Sequence, residues 1–436
     1  MLYNRPINAP RRFMALSLGI GLLAAPTDAK AQLLPAFFPE GVPGYGADAG
    51  DTVLSRTRPA YDPLGIKTGA AMVRPLLSTF FGYNDNVFGG RIRRGSWEAG
   101  IHPSILIGMD QTDASYGLYL SADDVRYVDQ PSQNHTGGAV FLGATKLLGR
   151  DKATIGAGFM IRHEDRAALD ALPSDRPVAF QVANLRLSYA AERGRFTLIP
   201  TVELNQWRFN STTVQGVPVN QSARDRTTVL GGLAVRYAWL PSREFVVETR
   251  ALGTHYDHPP PLATSKDSMS WQVAGGVDFN ESGIWRYRML AGLAYRVPAS
   301  PAVQPEATGI AEAEIIWSPS GLTTLRGSVM RGMEDAAQTG LFSYTYSSAG
   351  VRVDHEFAHD ILLDGSITLR HASFHHTGGQ QIGVGFGAGA TWLINRSLRL
   401  SLAHDITAIR NSHLPAGTVA GHYTRNLTLI TLRAGL

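Results

Sequence analysis

The chain has 436 residues, of which 44% are hydrophobic, 17% are charged and none is cysteine. The charged fraction is low for a soluble protein, in which about 25% is usual. A chain without cysteine has no disulfide framework, no thiol catalysis and no cysteine-ligated metal. The formal net charge is +4, but four basic residues and one acid fall within 1–31. The rest of the chain carries about +1, which gives no reason to expect a nucleic-acid partner.

The chain begins with an expected secretory signal peptide, residues 1–31. A basic start precedes the apolar run 13–25, which is too short to span a bilayer, and AKA (29–31) has the A-x-A form of a cleavage site. We expect cleavage before Gln32, with a short membrane anchor as the alternative. Residues 32–70 are rich in Pro and Gly and have neither helix nor strand periodicity, so they predict an extended periplasmic segment.

From residue 71 to 436 the sequence repeats with a period of two. In WRYRMLAGLAYRV (285–297), apolar residues occupy one face, and Arg286, Arg288 and Arg296 fall on the other. Successive side chains of a strand point to opposite faces, so the segment predicts a strand with one apolar and one charged face. We predict eighteen strands, within a range of 14–18, at 72–87, 96–110, 115–128, 135–148, 153–166, 178–192, 196–210, 224–239, 244–257, 267–280, 285–298, 307–317, 323–336, 342–357, 361–374, 381–394, 398–411 and 422–436.

The gaps between these strands alternate in length. Gaps after even-numbered strands hold 3 to 5 residues, whereas those after odd-numbered strands average about eight. Short turns at one end and longer loops at the other are typical of a transmembrane antiparallel up-and-down β-barrel, and a soluble β-sandwich has no reason to keep this alternation. We therefore predict one all-β barrel domain over 71–436. Tryptophans near the strand ends indicate aromatic girdles at the two membrane interfaces, formed by Trp97, Trp239, Trp271, Trp285, Trp317 and Trp392; Trp207 is phased inward.

Residues 55–90 resemble a known family. The resemblance rests on YDPLGI (61–66), PLL (75–77) and GYNDNV (82–87). They are similar to the entry segment and first strand of the outer-membrane β-barrel porin family of alphaproteobacteria (beta-barrel porin 2-like). This resemblance implies a barrel in the bacterial outer membrane. It names no solute, and it implies for some related barrels a role beside exopolysaccharide export.

Charged residues of both signs are expected to line the barrel lumen and to tune its selectivity for solutes. The alternative is that they pair across strands and stiffen the wall. On one strand Arg286, Arg288 and Arg296 come before Glu312 and Glu314 on the next, which favours pairing between neighbours. The lumen-lining candidates are Arg286, Arg288, Arg296, Glu312, Glu314, Arg352, Asp354, Glu356, Asp364, Arg370, Arg399 and Asp405.

Residues 381–394 alternate glycine with apolar residues. Their spacing does not match a phosphate-binding loop, and no lysine follows. On a strand, the apolar residues would face lipid and the glycines would face the lumen. The glycines would then leave space, either for something that approaches the wall or, as we prefer, for bulky side chains of neighbouring strands. They are Gly383, Gly385, Gly387 and Gly389.

The sequence favours a channel over an enzyme. The acidic pair Asp123-Asp124 and the pair Asp354-His355 each place neighbours on opposite faces of a strand, and no G-x-S-x-G motif occurs. We expect no catalytic residue, no cofactor and no metal site.

We predict passive passage of small hydrophilic solutes. One alternative is a barrel that exports or anchors an exopolysaccharide, with 32–70 docking a periplasmic partner or folding into the lumen. Another is a structural or adhesion barrel on the cell surface. The expected partners are outer-membrane lipid and the barrel-insertion machinery, joined under the export alternative by periplasmic polysaccharide-export components. Homotrimers are common in this size class, but no interface is specified.

Overall fold

The structure is a computed structural model. It describes residues 37–45, 52–165, 169, 172–258, 265–281, 284–336, 341–375, 377–413 and 422–436. The predicted signal peptide and its cleavage site before Gln32 lie outside the described residues.

The described residues form eighteen long strands, and no end differs from its predicted position by more than three residues. In chain order they are β1 (Ala71–Asn84), β2 (Ser96–Asp110), β3 (Ala114–Tyr127), β4 (His135–Leu148), β5 (Asp151–His163), β6 (Ala179–Arg193), β7 (Phe196–Phe209), β8 (Arg226–Leu240), β9 (Arg243–Tyr256), β10 (Ser268–Glu281), β11 (Trp285–Pro298), β12 (Glu306–Ser320), β13 (Thr323–Asp335), β14 (Ser343–Ala358), β15 (Ile361–Phe374), β16 (Gln380–Leu393), β17 (Leu398–Ser412) and β18 (Tyr423–Gly435).

The sheet closes on itself. Each long strand pairs antiparallel with the next, and β18 returns to β1 in a register that runs from Leu76 opposite Gly435 to Asn84 opposite Leu427. Closure leaves no strand edge unpaired, which is the arrangement that a sheet needs in hydrocarbon. Three short strands lie outside this ring: Ile66–Thr68 pairs with the start of β1, and Thr212–Val214 and Val217–Val219 form a hairpin in one long loop. The predicted closed antiparallel barrel of eighteen strands is confirmed.

The two ends of the barrel differ in their connections. At one end the strands are joined by turns of 2 to 4 residues, and at the other by loops of 5 to 16 residues. We refer to these as the short-turn end and the long-loop end. The alternation is the one predicted from the sequence.

Side chains alternate between the lumen and the outer face. On β11, the outward Leu293 and Met289 are 70% and 38% exposed, whereas the inward Arg296 is buried. The six girdle tryptophans lie on the outer face, and Trp285 stacks on Trp317 with ring centroids 5.2 Å apart.

Among the described residues, no helix is long and apolar enough to cross a bilayer.

The closure between β1 and β18 depends on Gly82. A methyl group at this position would overlap the carbonyl oxygen of Thr428 and lie 2.6 Å from Leu429 Cδ2. We expect Gly82→Ala to destabilise the barrel by roughly 1–3 kcal/mol, the usual cost of overpacking. A closed barrel migrates differently on a gel when boiled and unboiled. The temperature at which the folded band disappears should therefore fall.

The matched control for this prediction is Gly232→Ala. Gly232 lies inside the sheet on β8, where an added methyl group has its nearest contact at 3.6 Å. Equal unfolding temperatures for the two variants would contradict a special role for the β1–β18 seam.

Candidate functional site

The inner face of the barrel carries most of the charged side chains that the sequence singled out. All twelve lumen-lining candidates occupy inward positions on five strands, which are β11, β12, β14, β15 and β17. They follow from the period of two, because every second residue of a strand faces the same side.

Some ion pairs on this face join strands that are not neighbours, beside others such as Arg352–Asp364 that join adjacent strands. Arg288 on β11 donates to Glu248 on β9 at 2.6 Å, whereas Glu312 on the adjacent strand β12 is 3.8 Å away. Ala274 of the intervening strand lies opposite Glu248 in the register. Because this side chain is small, the arginine can reach across β10. The expected pairing of β11 with β12 is therefore only a minor part of the network.

A second arginine of β11 behaves in the same way. Arg296 lies 2.5 Å from Asp335 on β13, and Arg226 on β8 lies 3.9 Å from the same carboxylate. Sequence analysis did not select Arg226 or Asp335. The inward phase of Trp207 was the sequence signal that could have pointed to Arg226. Trp207 is 3% exposed, and the centre of its ring lies 4.8 Å from the Arg226 guanidinium.

The glycines of β16 face the lumen and accommodate side chains of β15. The register places Asp364 opposite Gly389, Thr368 opposite Gly385 and Arg370 opposite Gly383. A methyl group at Gly389 would lie 3.1 Å from the carboxyl carbon of Asp364. The space beside these glycines is therefore taken up by neighbouring side chains of the wall.

Residues 37–45 lie inside the barrel, and we call them the lumenal strap. Val42 is 1% exposed and Tyr45 is 5% exposed; both belong to one buried cluster with Leu106 of β2 and Phe141 of β4. The rings of Tyr45 and Phe141 meet edge to face with centroids 4.9 Å apart. The strap is thus packed against the inner wall as a core element would be.

Polar contacts hold the strap to β6. The Tyr45 hydroxyl donates to Asn184 Oδ1 at 2.8 Å, and an Arg186 N–H donates to the Gly44 carbonyl at 3.3 Å. The Arg186 guanidinium also lies 5.3 Å from the centre of the Phe38 ring. Burial raises the pKa of the Tyr45 hydroxyl, so the group stays protonated and remains a donor.

Residues 52–62 cross the short-turn end of the barrel, and we call them the mouth clamp. Val53 and Leu54 pack in a buried cluster with inward side chains of β15 and β16. Arg56 and Arg58 both pair with Glu356 of β14, the second at 2.9 Å. A further pair joins Asp62 to Arg399 of β17 at 2.6 Å.

The position of the N-terminal segment differs from the prediction. The sequence predicts an extended periplasmic segment over 32–70, with folding into the lumen as an alternative. The described part agrees with that alternative, because it lies within the lumen as the strap and across the barrel mouth as the clamp. Proline- and glycine-rich composition shows no period, so it does not reveal a docking partner. The Tyr61-Asp62 motif gains a role here, because Asp62 accepts from Arg399.

An open cavity of about 930 Å³ remains on the side of the lumen opposite the strap. Its walls come mainly from β7–β9 and β12–β15, with charges of both signs. Glu40 is exposed on the strap; enclosure by the barrel raises the pKa of its carboxyl, and the positive charge of Arg326 on β13 opposes that rise. Charged residues that line the cavity include Arg236, Arg250, Arg326, Arg352, Glu312 and Glu314.

Comparison with known proteins identifies one family. A family described as "Putative beta-barrel porin 2" matches residues 58–434. No curated protein matches the chain.

Several solved structures are similar to the chain at low identity. The outer membrane protein opdK from Pseudomonas aeruginosa is 13% identical with a TM-score of 0.46, covering 84% of this chain and 98% of its own. OccAB3 from Acinetobacter baumannii is 9% identical with a TM-score of 0.46, covering 85% and 100%. A BenF-like porin from Pseudomonas fluorescens Pf-5 is 13% identical with a TM-score of 0.45, covering 84% and 99%. Likeness at this level does not bear on what this chain transports.

The mouth clamp should loosen when its shared carboxylate is removed. Glu356→Gln leaves Arg56 and Arg58 without their ionic partner in a partly buried site, so the clamp should open more often. We expect trypsin to cleave after Arg56 about tenfold faster in the folded protein, since a loss of about 1.4 kcal/mol is a tenfold change in opening. Mass spectrometry of the released fragment measures this rate.

Asp113→Asn is the matched control for the clamp. Asp113 is an exposed acid at the same end of the barrel, where it pairs with Lys146 at 2.5 Å. If Glu356→Gln is cleaved no faster than this control, the clamp does not depend on its ion pairs.

Proposed function

Because the chain belongs to the Putative beta-barrel porin 2 family and is a porin-like outer-membrane β-barrel channel, we propose that it carries small hydrophilic solutes by passive diffusion through its charged lumen. An eighteen-stranded barrel is wide enough to hold an aqueous channel.

The observation that carries this proposal is the cavity of about 930 Å³ beside the strap. The strap occupies one side of the lumen, and the other side stays open between charged walls. Glu312 and Glu314 keep 51% and 43% of their side chains exposed there, although each lies near an arginine. Such side chains can exchange contacts with water and with a passing solute.

The ion pairs of the wall support the same proposal. Arg288 with Glu248 and Arg352 with both Asp354 and Asp364 are held at 2.6 to 3.0 Å. Pairing limits the movement of long side chains, so the passage keeps its width. Balanced charges also leave it open to polar solutes without a strong preference for one sign.

The family and the fold favour a channel over an enzyme. They do not favour the exopolysaccharide or adhesion alternatives.

The route to the membrane is a further part of the proposal. Residues 1–31 have the pattern of a signal peptide, with cleavage before Gln32. The resemblance of 55–90 supports an alphaproteobacterial outer membrane, and the barrel-insertion machinery would place the chain there. Homotrimers are common among barrels of this size, and chemical cross-linking of the folded protein in membranes tests whether this chain forms one.

Conductance across a planar bilayer tests the proposed function. We expect the refolded chain 32–436 to give steady, ohmic single-channel currents, because the cavity of about 930 Å³ leaves room for water and ions between charged walls. Liposome swelling should show entry of small sugars and exclusion of large oligosaccharides. Absence of any conductance from protein that migrates as a folded barrel would contradict a diffusion channel.

A further inference from the structure

Three glycines form a row across neighbouring strands on the inner wall. The register places Gly117 of β3 opposite Gly143 of β4, and Gly143 opposite Gly156 of β5. All three face the lumen. The row therefore runs across the strands and around the barrel wall, whereas the glycines of β16 follow one strand along its length.

The lumenal strap occupies this row. A methyl group at Gly117 would lie 2.6 Å from Pro43 Cδ, and one at Gly156 would lie 2.6 Å from Tyr45 Cε2. A methyl group at Gly143 would overlap the Pro43 carbonyl oxygen. At each of the three glycines, the three nearest atoms all belong to the strap. The space that the glycines leave is filled by the chain's own N-terminal segment.

The strap carries one charged side chain, that of Glu40. Glu40 is exposed, whereas Val42 and Tyr45 point into the wall and are buried. On the far wall of the cavity, the Arg326 side chain is 31% exposed and lies 3.9 Å from Glu314. Enclosure raises the pKa of Glu40, and the positive charge of Arg326 opposes that rise.

We propose that the lumenal strap is a fixed inner wall of the channel, seated on Gly117, Gly143 and Gly156, and that Glu40 on this wall and Arg326 opposite adjust the ratio of cation to anion permeability. The proposal rests on the proposed function, since only a conducting channel has a width and an ion selectivity to set.

Substitutions where the strap meets the three glycines test whether the strap sets the width of the channel. Gly143→Ala puts a methyl group where the strap lies, so the strap must leave its seat while the barrel wall loses no contact of its own. Val42→Asp tests the same point from the strap side, because a carboxylate in this buried site has no partner and is costly. Both variants should raise single-channel conductance by roughly half or more, as the lumen widens.

Gly108→Ala is the matched control for the seat. Gly108 of β2 lies opposite Gly117, but a methyl group there has no neighbour within 4 Å. Its conductance should equal that of the unsubstituted chain. Gel migration before and after boiling shows that each variant has folded.

Charge substitutions test the selectivity. In a salt gradient, Glu40→Gln should lower the cation-to-anion permeability ratio by about twofold, and Arg326→Gln should raise it by about twofold, as expected for a unit charge several ångströms from the permeating ion in water. Asp124→Asn is the control, because Asp124 pairs with Arg126 on the outer face and loses the same charge outside the lumen.

The outcomes separate the inference from the proposed function. Equal conductance for Gly143→Ala, Val42→Asp and Gly108→Ala overturns the fixed wall. A silent unsubstituted chain beside a conducting Gly143→Ala chain also overturns it, because the strap is then a plug. Reversal potentials that do not move in opposite directions overturn the role of Glu40 and Arg326. Silence from every folded variant overturns the proposed function itself.

Discussion

The closure of the sheet through β1 and β18 is the constraint on which the rest of the structure depends. Hydrocarbon offers no water to the backbone, so every strand must pair on both sides. Closure in turn separates an outer face from an inner one, and it makes the period of two in the sequence visible as lipid-facing and lumen-facing rows. The interior of the closed barrel is then filled by other parts of the same chain.

Two parts of the chain fill the lumen, the charged side chains of the wall and the N-terminal strap. Charged side chains line most of the wall. Some of their pairs join adjacent strands, whereas Arg288 with Glu248 spans two strand spacings because the small Ala274 leaves room for a long arginine. The N-terminal strap supplies the rest, with a buried aromatic cluster that resembles the core of a soluble protein. The open cavity is what remains between these two kinds of filling.

The sequence predicts the strands and their faces well, because each depends only on local alternation and on the lengths of the connections. It does not predict the partners of the charges. Arg296 pairs with Asp335 two strands away although the register places Glu306 directly opposite it on β12, and a strand-by-strand pattern does not show that preference. Folding of 32–70 into the lumen entered only as part of an alternative, since a Pro- and Gly-rich segment has no period and the register that aligns Gly117, Gly143 and Gly156 is a property of the folded sheet.

Glycine serves two purposes in this wall, and geometry separates them. Along β16 the glycines follow one strand, so the side chains of the strands on either side can lean over them, as Asp364 does over Gly389. Across β3, β4 and β5 three glycines lie side by side, and the atoms nearest to each of them belong to the strap and not to the wall. Since the clamp fastens the segment that follows the strap to the barrel mouth, the strap stays at high effective concentration near its seat and needs little binding free energy to remain there.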